Sequence, residues 1–134
     1  SFARLTGDYN PVHSDAEFAR LKGFPRTICH GLLAGALITE IGGQIGWLAT
    51  RMSFEFLRPV FTGDAVVCTM TITSIDARGF AVAEGALTTA AGGEVMRVRL
   101  EGFLPQEAER RRLEELTEEA TGDGGASSAR SRRG

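Results

Sequence analysis

Lysine is almost absent from this chain. Lys22 is the single lysine among 15 basic side chains, and 17 acidic ones outnumber them for a net charge of -2. That balance supplies no electrostatic basis for sequence-independent binding to nucleic acid. Cysteine is scarce too. Cys29 and Cys68, with no secretory signal ahead of them, suit reduced thiols in the cytoplasm better than a disulfide framework. Two histidines and two cysteines lack zinc-site spacing, so no metal is expected. No apolar run reaches the roughly 20 residues of a membrane span. Glu40 and Gln44 interrupt the longest, from Gly31 to about Leu48. Proline numbers only 4 against 17 glycines, which is no linker composition, so the glycines are expected at turns, close backbone approaches or a loose end. What remains is ordinary: 134 residues, 43% apolar and 24% charged, the size and make-up of one domain with one core. The chain begins at Ser1 without methionine, as a processed chain or a fragment would.

Ser1 to Leu5 reads as the end of an amphipathic helix, broken by the turn-rich run Thr6-Gly7-Asp8-Tyr9-Asn10-Pro11. Pro11 disfavours helical geometry at Asn10. Ser14 or Asp15 then caps a short helix through Phe18 and Leu21 that ends near Gly23 and Pro25. From Gly31 to about Leu48 apolar residues fill nearly every face, which predicts a core helix enclosed almost all round. Mid-helix Gly35 calls for something packed on its backbone. Beyond it the period changes to 2. Met52, Phe54 and Phe56, then Val66 to Ile72, Phe80 to Thr89, and Met96 to Leu100 predict four strands, the last three an antiparallel meander through short turns at 76–79 and 91–94. A buried helix followed by an antiparallel sheet is an α+β domain, expected over residues 1–105. Residues 106–134 differ in kind: a charged helix from Pro105 to Ala120, with Leu113 and Leu116 for docking, and then a tail without large apolar residues that is expected to be disordered.

Two segments have the residue types for chemistry. Asp8 and His13 lie five residues apart on a proline-stiffened loop, a plausible acid/base pair, since a carboxylate can fix an imidazole's tautomer or share a water with it. The same residues also build ordinary turns, with Asn10 as a backbone cap. His30-Gly31 opens the apolar helix, where unpaired N–H groups favour a developing oxyanion and Gly31 leaves a ligand room; an ordinary helix start has the same residues. Cys29 beside His30 is no sign of a thiol nucleophile, because adjacent residues rarely face one another.

Together these segments resemble the MaoC-like, (R)-specific enoyl-CoA hydratases (hydratase 2) of the hot dog fold. Asp8, Asn10, Pro11 and His13 match the family's Asp-x-Asn-Pro-x-His loop, and His30-Gly31 its His-Gly helix start. Phe56 to Asp64, FLRPVFTGD, is similar to its F-x-x-P-V-x-x-G-D element. The resemblance covers Ser1 to about Leu104. It implies a long central helix wrapped by an antiparallel sheet, in a homodimer with sites at the interface. It also implies reversible hydration of trans-2-enoyl thioesters, on coenzyme A or acyl carrier protein, to (R)-3-hydroxyacyl thioesters, with no redox cofactor. Asp8 and His13 would hold the water, Gly31 N–H would meet the thioester oxygen, Asn10 would brace the loop, and Thr39 would support the histidine. Members begin with a strand and short helix ahead of the Asp loop, so a trimmed or missing N-terminal strand is expected here. Two other readings share parts of this pattern: a hot dog thioesterase, and a non-catalytic acyl-thioester-binding paralogue or heterodimer partner.

Overall fold

The turn residues of the first thirty positions act as their chemistry dictates. In a computed structural model of the chain, which describes residues 1–91 and 93–122, α1 (Phe2–Thr6) stops at Gly7, whose φ of +76° suits glycine. Asn10 is extended, and Pro11–His13 forms one 3-10 turn with the Asn10 side chain accepting from Val12 N. Asp15, not Ser14, caps α2 (Ala16–Leu21), its carboxylate accepting from Phe18 N at 2.7 Å.

The central helix is shorter and less enclosed than the sequence predicts. It runs as α3 (Gly31–Gly35) and α4 (Leu37–Gln44), joined at Ala36. The break has a local cause: Thr39 donates to the Ala36 carbonyl with both its amide (3.0 Å) and its hydroxyl (2.6 Å), tightening that turn. The helix ends at Gln44, four residues before Leu48, because Gly46 turns left-handed (φ +68°) while Gly46 N and Trp47 N bond back to Gly43 O and Gly42 O. That paired arrangement is a Schellman cap. Ala34, Gly35 and Ile38 face the sheet and are buried, whereas Leu32, Leu33 and Leu37 on the other flank are exposed. The helix is therefore covered on one side, not all round.

Strands β1 (Leu48–Phe56), β2 (Val66–Ile75), β3 (Phe80–Thr89) and β4 (Gly93–Phe103) form one antiparallel sheet in the order β1-β4-β3-β2. The last three make the expected meander. Its 76–79 turn is held by Asp76, whose carboxylate accepts from Phe80 N and Arg78 N and is kept below the usual carboxylate range by those bonds, Phe80 first. Gly92 of the second turn lies outside the described residues.

The inner face of β3 is built small, Ala81, Ala83 and Gly85, so that the helix can approach. The core closes around Ala34 and Ile38 with Leu87, Val95, Met96, Val98 and Leu100. Only the two central strands are fully covered. Met52 and Phe56 on β1 and Ile72 on β2 keep much of their surface. The outer face is polar and cross-linked by charge, with Arg99 reaching Glu84 and Glu101, and Arg97 reaching Glu94 and Glu55. This is the α+β architecture the periodicity predicts, a helix gripped by an antiparallel sheet, and it matches the hot dog fold that the resemblance implies.

Helix α5 (Glu107–Gly122) includes Thr121 and Gly122. Glu107 pairs with Arg110 and Arg111, and Glu115 pairs with Arg112. Leu113 sits beside Gly46 and Pro105, and Leu116 is exposed, so one of the two docking leucines is used. Residues 123–134 of the predicted tail lie outside the described residues. No helix among the described residues is long and apolar enough to cross a membrane.

Two glycines in opposite surroundings test this packing. A Cβ on Gly102 would press on the Leu48 carbonyl, whereas one on Gly43 meets nothing within 4 Å. We expect Gly102→Ala to lose about 2–3 kcal/mol and Gly43→Ala to gain about 0.5–1 kcal/mol. Urea unfolding of both reads this; equal effects would contradict the packing described.

Candidate active site

The three motifs are stitched into one site by the segment Arg26 to His30. On one side, Ile28 N donates to Val12 O (3.2 Å) and the His13 ring donates from Nδ1 to Ile28 O (2.9 Å). On the other, Cys29 N donates to Val60 O (2.7 Å), Thr62 N to Thr27 O (3.3 Å), and Ile28 bridges Phe61. Asp64 closes that side. One carboxylate oxygen accepts from Phe61 N (3.0 Å) and the other from Arg26 (2.8 Å), whose guanidinium also bonds Thr62 O and lies over the Phe61 ring. The glycine-aspartate end of the third motif is thus a clamp on the strand-like segment between the two histidine motifs.

Within this frame Asp8, His13 and His30 converge. A carbonyl oxygen only accepts, so the bond to Ile28 O puts the His13 proton on Nδ1 and leaves Nε2 as its basic nitrogen. That nitrogen faces Asp8 Oδ2 at 3.7 Å. The gap is too long for a direct hydrogen bond, and one water oxygen can bond to both groups across it. Both imidazoles are nearly buried, with 13% of the side chain exposed, while the Asp8 side chain is half open. Asn10 braces the loop at two points, its amide N donating to Asp8 Oδ1 and its Oδ1 accepting from Val12 N, each at 3.2 Å.

His30 is the residue the sequence understates. Its ring stacks on His13 with centroids 3.7 Å apart and planes 21° apart, and meets the Phe2 edge. Its Nε2 donates to the Asp8 carbonyl at 3.1 Å. The available signal was that both of the chain's imidazoles fall in motifs, yet a helix-cap position gives no hint of where the ring points. Thr39 is not brought here. Its hydroxyl is committed to Ala36 O, and it lines neither cavity that opens on Asp8 and His13. The expected support of the histidine by Thr39 is replaced by the Ile28 carbonyl.

The Asp8 carboxylate and the two imidazoles bring one donor atom each within 4.8 Å of one another. A metal bonds an imidazole nitrogen in the ring plane at about 2.0–2.1 Å. Near-parallel stacked rings offer no point at that distance in both planes, and His30 Nε2 already carries a proton toward Asp8 O. The arrangement suits a shared water better than a shared metal.

Two cavities meet at the cluster. One, of about 540 Å³, is walled by Leu32, Ala34, Phe56, Val60, Val95 and Met96, within the range typical of small-molecule sites. Val95 reaches it because a register shift in β4 turns Val95 and Met96 both inward. The other, about 860 Å³, extends past Tyr9 and Asn10 toward Gly63 and Asp64. Cys29 lines both, and burial pushes its thiol above the usual range, keeping it neutral. Gly31 begins α3, and its N–H has no acceptor among the described residues. Because α3 is five residues long, this local donor, rather than a long helix dipole, is what the helix start offers. Gly31 is also fixed sterically: a Cβ there would stand 2.5 Å from Phe56 Cε1, and one on Gly35 3.0 Å from Phe54.

Comparison with known proteins identifies the family and the fold that hold this site. The MaoC like domain family matches residues 1–95. The chain is 46% identical over 69 residues to 3-hydroxyacyl-thioester dehydratase Y of Mycobacterium tuberculosis, covering 47% of this chain and 24% of that protein. It is 37% identical over 79 residues to the (R)-specific enoyl-CoA hydratase of Aeromonas caviae, covering 56% and 59%. A solved structure of an (R)-hydratase of A. caviae involved in PHA biosynthesis superposes with a TM-score of 0.72 at 31% identity, covering 78% of this chain and 83% of that one. The chain thus spans from about a quarter to three fifths of the length of these curated relatives.

If Phe56 is what forbids a side chain at position 31, Gly31→Ala costs about 1–3 kcal/mol in a wild-type background and much less beside Phe56→Ala. A double-mutant cycle by thermal unfolding measures the coupling; strict additivity would refute the steric assignment.

Proposed function

Because this chain belongs to the MaoC-like domain family, we propose that it is a hydro-lyase acting on acyl thioesters, an (R)-specific enoyl-CoA hydratase or 3-hydroxyacyl-thioester dehydratase. The observation that carries this reading is the placement of His13 Nε2 3.7 Å from Asp8 Oδ2 at the wall of an apolar cavity. In the forward direction His13 Nε2 takes a proton from the shared water while Asp8 holds the other hydrogen. The water oxygen bonds to the β-carbon, the double bond's electrons move through the α-carbon to the thioester oxygen, and Gly31 N–H meets that oxygen as it gains charge. A well-aimed donor there is worth about 3 kcal/mol. The enolate collapses as the proton returns, through His13 with Asp8, to the α-carbon on the same face. The net change is the addition of one water, with no electrons exchanged, so the reaction requires no redox cofactor.

The same reading takes the substrate as an enoyl or 3-hydroxyacyl thioester of coenzyme A or acyl carrier protein, lying in the cavity of about 540 Å³. It takes the chain as a homodimer. The exposed flank of Leu32, Leu33 and Leu37 supports a partner, since a second copy would cover apolar surface that this sheet leaves open. Residues 1–105 would be the hot dog domain and residues 106–134 an appendage to it. The free thiols of Cys29 and Cys68 suit the cytoplasm.

Asp8→Asn and His13→Ala are expected each to lower the hydration rate of a short enoyl-CoA by about 10²–10⁴-fold with the fold intact. Loss of the conjugated enoyl absorbance, followed beside thiol release, measures it. Unchanged rates in both variants, or thiol release in place of hydration, would overturn the assignment.

A further inference from the structure

The geometry points to His30 as a positioning residue whose Nε2–H, through the Asp8 carbonyl, fixes the Asp8 carboxylate against His13. This rests on the hydratase reading above, in which Asp8 and His13 share the reacting water.

The two histidines are stacked, so they look like alternative bases, but their hydrogen bonds make them opposites. His13 donates from Nδ1 to Ile28 O and keeps Nε2 bare toward Asp8. His30 donates from Nε2 to Asp8 O, so the nitrogen it turns toward Asp8 carries a proton and cannot accept one. His30 Nε2 also lies 3.9 Å from Asp8 Oδ2, beyond hydrogen-bond range. Its single bond to this loop is therefore made to the backbone.

That bond matters because little else ties Asp8 down. The residue is exposed, and its other bonds stay within the loop: its amide donates to Thr6 Oγ1 and its Oδ1 accepts from Asn10 N. Among the described residues only the His30 contact anchors Asp8 to the helix start, 22 residues away, where Gly31 N–H stands. The ring is held in that position by a T-shaped contact with Phe2 and by His13 stacked on its face. A shift of the carboxylate by 1 Å can cost about 10²-fold in rate without altering what binds the rest of a substrate.

Two substitutions separate the roles of the ring and its N–H. His30→Phe keeps an aromatic ring on His13 and removes the donor; His30→Gln restores a donor near Nε2 without the ring. For enoyl-CoA hydration, kcat of the Phe variant is expected to fall about 10–100-fold with KM within about 3-fold, and the Gln variant to recover most of the loss. Wild-type kcat in the Phe variant, or no recovery in the Gln variant, would overturn the inference. The unmodified protein provides a second measurement, which does not depend on the variants folding. With two histidines in the chain, ¹⁵N shifts at alkaline pH should show opposite tautomers, Nδ1–H on His13 and Nε2–H on His30; the same tautomer on both would overturn it. A wild-type protein that hydrates no enoyl-CoA would count against the hydratase reading alone, and the tautomers would still decide how His30 holds Asp8.

Discussion

The site depends on five residues of extended backbone. Arg26 to His30 have no regular structure of their own beyond the bridge at Ile28, yet both of their edges are hydrogen-bonded. One edge holds the loop of Asp8 and His13, and the other holds Val60 to Asp64. A buried backbone must find partners for its N–H and C=O groups, and here that requirement sets the active-site geometry. Ile28 is the clearest case. Its amide fixes Val12 and its carbonyl fixes the tautomer of His13, so one residue decides both where the imidazole lies and which nitrogen is basic. The Arg26–Asp64 pair is partly exposed, and as an isolated ion pair would count for little. Its role comes from the backbone groups gathered around it, Phe61 N and Thr62 O.

A second constraint is a match of periods between helix and strand. Gly31 and Gly35 are four residues apart on a helix, about 6 Å at 1.5 Å per residue. Phe54 and Phe56 are two apart on β1, about 6.7 Å at roughly 3.3 Å per residue. The two phenylalanine rings therefore fall one on each glycine. This brings the helix close enough for Gly31 to line the cavity and makes Phe56 part of the cavity wall. Gly31 serves two ends at once, so a glycine that looks chosen for catalysis is equally required by packing.

Much of this was legible in the sequence, and the parts that were not share a cause. Local chemistry was readable: a cap at Ser14 or Asp15, the extended Asn10, the 76–79 turn and the alternation of β3 and β4 follow from residues near in sequence. The pairing of β1 with β4 was not, because β1 precedes the meander and local pattern does not say which of its outer strands, β2 or β4, it pairs with. The apolar helix looked enclosed because all its faces are apolar; composition cannot tell whether a face meets this chain's own sheet or another surface. Thr39 was assigned a role by family position, but a threonine hydroxyl inside a helix has a carbonyl within reach on the preceding turn and took it. His30 is legible as part of a helix start, but a backbone position says nothing of the ring, which swings onto residues 17 and 22 positions earlier.

The two faces of the sheet divide the electrostatics. The outer face, with Arg97, Arg99 and four glutamates cross-paired, keeps its charges in water, where such pairs contribute little to stability and much to solubility. Between Val95, Met96 and the helix the cavity wall is apolar, and the polar residues that line the space stand around it: Thr6, Asp8, His13, His30, Gly31 and Arg58. Charge forming on a bound molecule beside them would be poorly screened and strongly felt by the few fixed donors present. The apolar wall and the sparse polar rim therefore work as one device. The wall strengthens whatever the rim does, and the backbone of Arg26 to His30 keeps the rim from moving.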